Sequence, residues 1–224
     1  MIFVIFFSLE LFFLFYLSRL LTQSLSALFY RITKSKAVTI QLLSFLFLPG
    51  VIVHELAHIL VAGILFVPVG NIEFLPQINQ GNVKLGSVGI GKTDPIRRSI
   101  IGFAPVFVGL SVLFSIAYYS TQAGTVIQYV GIVYVLFVIA NTMFSSKKDM
   151  EGTVELFTAF GLIALALYVA GVRIDLLVVQ KFLSLEVTTF FQKTDMFLLV
   201  PIGIDVVVVG ITKIITGSFR SRQY

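Results

Sequence analysis

The chain has 224 residues, 58% of them hydrophobic and 12% charged, with a net charge of +5 and a mean hydropathy of +1.01. A soluble domain carries about twice that charge fraction, and the apolar residues here fall in long runs, so the composition excludes an ordinary soluble enzyme. It predicts an all-α polytopic membrane protein forming a single domain over residues 1–224. No basic patch is interleaved with aromatics as nucleic-acid binding requires, and the absence of cysteine excludes a disulfide framework, a thiolate metal site and a cysteine nucleophile.

About six apolar stretches approach the roughly 20 residues that a bilayer core demands: 1–17, 38–66, 99–119, 125–144, 153–171 and 196–216. The first has no basic leader and no small-residue cleavage site, so it reads as a retained span. The second is too long for one straight crossing and contains Pro49-Gly50, which predicts a kink or break, with the helix running on from about Val51 to Phe66. Residues 67–92 turn polar and glycine-rich. The alternating runs 71–74, 82–85 and 87–90, with a turn at Asn79-Gln80-Gly81-Asn82, predict a small β-hairpin at the membrane face. Asp94-Pro95 reads as the N-cap and first helical residue of the third span. The catalytic core is expected over about 38–171, with the spans 1–17 and 196–216 accessory.

Basic residues cluster between spans. Lys84, Lys92, Arg97 and Arg98 lie in the 67–98 connection, Lys147 and Lys148 in 145–152, and Arg220 and Arg222 in the tail. Their excess predicts a shared cytoplasmic side. The 18–37 connection must then lie opposite, although it carries Arg19, Arg31, Lys34 and Lys36 and no acid; charge counting leaves that conflict open.

The chain's two histidines both fall in His54-Glu55-Leu56-Ala57-His58. On a helix this spacing puts both imidazoles on one face, where they can share a zinc ion, and Glu55 can serve as general base toward a water on that ion. Three such groups in an apolar helix are costly unless they bind something, which favours a metal site over a mere hydrogen-bonded pair. Catalytic zinc takes three protein ligands and keeps one position open. With no further histidine, the third ligand is a carboxylate: Asp149, Glu151, Glu155 or Asp205. The other acids within spans, Glu10 and again Asp205, read either as a polar path or as helix–helix contacts.

Two further segments carry a resemblance. Asn141-Thr142-Met143-Phe144-Ser145-Ser146-Lys147-Lys148-Asp149 has the asparagine-to-aspartate spacing of N-x-x-P-x-x-x-L-D-G, with Phe144, Lys148 and Met150 at the proline, leucine and glycine positions. Ile101-Gly102-Phe103-Ala104-Pro105 matches a small-residue-plus-proline element between the two motifs. Together with the H-E-x-x-H word and the ribbon after it, these make residues 50–155 similar to the site-2 protease family of intramembrane zinc metalloproteases. The resemblance implies one Zn²⁺ held by His54, His58 and Asp149, with Glu55 catalytic and Asn141 near the active centre, holding substrate backbone. It implies a membrane-spanning protein substrate, a bilayer environment, an active site toward the cytoplasmic side, and room for a regulatory membrane partner. The ribbon is expected to receive the substrate as an added strand. Two alternatives stand beside it: a membrane zinc peptidase with a glutamate third ligand working at the cytosolic face, and a non-catalytic metal-binding relative.

Overall fold

The computed structural model describes residues 2–73, 77–79, 82–84, 86–119, 124–144, 149, 153–171 and 185–218. Helix α1 (Ile2–Thr33) is followed by α2 (Lys36–Ile64), then by four short strands, β1 (Val69–Glu73), β2 (Gln77–Asn79), β3 (Asn82–Lys84) and β4 (Ser87–Ile90). Among the described residues four helices follow: α3 (Pro95–Tyr119), α4 (Val126–Thr142), α5 (Thr153–Val169) and α6 (Leu185–Ser218). Among the described residues, four helical segments are long and apolar enough to cross a membrane: Ile5–Thr33, Lys36–Ile64, Pro95–Ile116 and Thr194–Gly217. The other two expected spans, α4 and α5, are apolar helices of 17 residues each.

The first helix is not confined to 1–17. It runs to Thr33 and takes in most of what reads as the 18–37 connection. The reason is a stripe of buried leucines at helical spacing, Leu14, Leu17, Leu21 and Leu25, which continues through the polar interruptions. Ser18 and Thr22 cost little there, because each hydroxyl donates to a carbonyl of its own helix, Phe15 O and Ser18 O, both at 2.9 Å. The helix stops at Lys34, whose φ of 54° is left-handed. Ser35 then caps α2 by accepting the Val38 N–H.

The expected break at Pro49-Gly50 is absent: α2 is helical from Lys36 to Ile64. Among apolar surroundings a broken helix would leave backbone groups without partners, so continuing past the lost proline N–H is the smaller cost. Gly50 is instead where α4 packs most closely. A Cβ there would collide with Thr142 Oγ1 and lie 2.6 Å from the Val138 carbonyl oxygen. The Tyr134 hydroxyl donates to Leu46 O at 2.9 Å. The pairs Tyr134–Leu46, Val138–Gly50 and Thr142–His54 advance together, so α4 runs parallel to α2 and ends level with the first histidine.

The β-hairpin after the motif helix is present as a ribbon. β1 pairs antiparallel with β4 (Ile72↔Val88, Glu73↔Ser87), and β2 with β3 (Gln77↔Lys84, Asn79↔Asn82). The turn residues Gln80 and Gly81 lie outside the described residues. Asp94 caps α3 as expected, its Oδ1 accepting the Arg97 N–H at 3.0 Å.

One part of the expected topology is corrected. Phe7 meets Phe191 with ring centroids 5.2 Å apart, and Arg31 Nη1 donates to Thr216 O at 3.0 Å. α1 and α6 are therefore parallel, and α6 ends beside the start of α2, at the opposite end of the bundle from the ribbon. The segment leading into the tail thus does not share an end with the 67–98 connection. Arg31, Lys34, Lys36 and Lys213 gather at one end, while Lys92, Arg97 and Arg98 mark the other. Alternating single crossings counted from hydropathy could not show that the outermost helices pair in parallel.

Candidate metal centre

His54 and His58 lie one turn apart on α2, with ring centroids 4.9 Å apart. His54 Nδ1 is 2.7 Å from Thr142 O, and His58 Nδ1 is 2.8 Å from Ile101 O. A carbonyl oxygen only accepts, so each Nδ1 carries the proton. Each Nε2 is then a lone pair, and the two lie 3.2 Å apart. A hydrogen bond donated by Nδ1–H sets the tautomer and the ring orientation of a metal-binding histidine.

Both carbonyls are available for identifiable reasons. Thr142 is the last residue of α4, and the carbonyls of a helix's final turn have no partner within the helix. Ile101 lies inside α3, where its carbonyl would normally accept the N–H four residues on. That residue is Pro105, which has none. The small-residue-plus-proline element therefore frees one oxygen, and His58 takes it.

Asp149 follows α4 and supplies the third group. Its Oδ2 is 3.7 Å from His54 Nε2 and its Oδ1 is 3.6 Å from His58 Nε2. Gly102 admits it: a Cβ at that position would overlap the Asp149 carbonyl. His54, His58 and Asp149 offer ligand atoms that all lie within 4.8 Å of one another, the one such group among the described residues. Two ligands of a tetrahedral zinc at about 2.0–2.1 Å would be about 3.3 Å apart. The spacing and the converging lone pairs both suit a cation, so these residues can hold a metal ion.

Glu55 is 7% exposed. The chain at Gly86, just before β4, lies over it; a Cβ on Gly86 would be 3.1 Å from Glu55 Oε1 and 2.7 Å from Val51 Cγ1. The site lies ten residues before the end of α2, about 15 Å along the helix.

The other sequence candidates fall elsewhere. Asp205, on α6, does not join the histidines; its Oδ1 accepts from Asn141 Nδ2 at 2.9 Å. That nitrogen also donates to Phe137 O at 3.0 Å, so the Asn141 donor is engaged. Glu151 and the side chain of Glu155 lie outside the described residues. Glu10 has one oxygen, Oε2, buried without a hydrogen-bond partner among the described residues, and it is not part of the group. Sequence reasoning did not assign roles to Gly102, Pro105 and Gly86. Pro105 had a readable signal, since a proline inside an apolar helix announces a free carbonyl four residues earlier. Gly102 and Gly86 had none, because their need for a missing side chain comes from segments far away in sequence.

Comparison of the chain with protein-family models, with curated proteins and with solved structures finds no significant match.

Proposed function

We propose that the protein is a zinc-dependent intramembrane endopeptidase of the site-2 protease type, crossing the bilayer through its long apolar helices and cleaving membrane-spanning proteins. The observation that supports this most is the convergence of His54 Nε2, His58 Nε2 and Asp149 within one small volume beside Glu55, on a helix flanked by apolar surface. The bilayer reading is supported by large apolar side chains at the surface, such as Phe12, Phe45, Phe66 and Ile127, each more than 70% exposed. A soluble monomer rarely carries so much.

His54 and His58 would hold the ion through Nε2 and Asp149 through its carboxylate. A zinc ion held there supplies Lewis-acid activation of water and of the scissile carbonyl. Glu55 takes the proton of the attacking water on its carboxylate and returns it to the leaving amine. A substrate helix hides its amides in its own hydrogen bonds, so its scissile segment must unwind first. β4 pairs with β1 along one edge, and its chain lies against Glu55. A substrate strand added to the ribbon would lie close to that base.

The ligand set is tested by zinc content. Replacing His54, His58 or Asp149 singly with alanine is expected to abolish stoichiometric zinc, while Glu151→Ala and Glu155→Ala keep it. An Asp149→Ala protein that retained zinc, with either glutamate variant losing it, would move the assignment to a glutamate-ligated peptidase.

A further inference from the structure

Asp205 is 0% exposed within the apolar segment Thr194–Gly217 of α6. Its Oδ1 accepts one hydrogen bond, from Asn141. Its Oδ2 and the Asn141 Oδ1 are buried with no hydrogen-bond partner among the described residues. As helix adhesive this is a poor arrangement. Apolar residues of similar volume would hold α4 to α6 as well or better, since replacing both members of a buried polar pair is often neutral or stabilising.

The location suggests what the pair does. Asn141 adjoins Thr142, whose carbonyl takes the His54 Nδ1–H at 2.7 Å. Asn141 also spends its second Nδ2 hydrogen on Phe137 O, one turn back. The amide is thereby fixed to its own helix and to α6 at once. We propose that Asp205 is a positioning residue for the metal centre: through Asn141 it sets the rotation and height of the last turn of α4, and so the carbonyl that orients His54. α6, which reads as accessory, is then part of the apparatus that shapes the site. The inference rests on the metal-centre reading above.

The test uses full-length protein in detergent, with zinc affinity measured by competition against a chelator and thermal unfolding measured without metal. The pair Asn141→Leu with Asp205→Leu removes both polar groups. It is expected to melt like wild type yet bind zinc about tenfold more weakly, the lower end of what outer-shell partners of a metal cost. The exchanged pair Asn141→Asp with Asp205→Asn restores one donor and one acceptor and is expected to bind close to wild type. If the leucine pair does not fold, Asp205→Ala takes its place under the same affinity criterion. A leucine pair (or that substitute) that binds zinc as tightly as wild type overturns the inference, and so does an exchanged pair as weak as the leucine pair. Wild type that takes up no zinc refutes the metal centre itself, and the inference with it.

Discussion

Each histidine gives its Nδ1–H to a backbone oxygen that lacks a helical partner, at Thr142 because α4 ends and at Ile101 because Pro105 has no N–H. The consequence can be checked. In Pro105→Ala the restored backbone N–H competes for the Ile101 oxygen, the hold on His58 weakens, and zinc affinity is expected to fall by up to about tenfold. Titration with a competing chelator measures it; unchanged affinity would show that the freed carbonyl is incidental. Gly102 makes a sharper case, since a Cβ there would overlap the Asp149 carbonyl. Gly102→Ala is expected to lose at least about tenfold in zinc affinity with helix content unchanged. Gly131→Ala, where nothing lies within 4 Å, is the neutral control. At this scale the sequence was readable where chemistry is local, as in the i, i+4 histidines. It was silent where a glycine is required by a segment 47 residues away, as at Gly102 beneath Asp149.

The elements place these residues by where they stop. α4 has 17 residues, shorter than the four long apolar helices, and its end level with His54 is what presents the Thr142 carbonyl. Pro49-Gly50 looked like an interruption because proline and glycine are local helix breakers. In the bundle, Gly50 is the close-packing point that brings α4 into register with α2, and only the facing helix reveals it. The ribbon and the Asp94 cap were legible because turn residues, strand alternation and N-caps act over a few residues. That cap carries its own pH dependence. The Arg97 backbone N–H, the largest influence on Asp94, holds its carboxyl below the usual range. Because the folded value is depressed, the cap's contribution is complete above the unfolded pKa of about 3.9 and is lost as pH falls through the folded value. Wild type is therefore expected to lose thermal stability on acidification below about pH 4 more steeply than Asp94→Asn. Identical acid profiles would remove the cap from the account of how α3 begins.

The whole bundle settles what neither residues nor elements could. Its largely helical, apolar character was legible from composition, and among the described residues four helices are long and apolar enough to span a membrane. The parallel pairing of α1 with α6 was not, since it depends on contacts such as Phe7–Phe191 and Arg31–Thr216 between the two extremes of the chain. That pairing brings Asp205 to Asn141, beside the group that can hold a metal ion. The activity proposed for this group, with Glu55, is hydrolysis of peptide bonds in a membrane. It is tested most directly by purified wild type and Glu55→Gln in detergent, each with zinc quantified, against a panel of single-span substrates. Wild type is expected to hold one zinc per chain and cleave. Glu55→Gln is expected to hold the same zinc and cleave at least about 100-fold more slowly, the lower bound for losing a general base. Equal cleavage by the two proteins, or wild type without zinc, would contradict it.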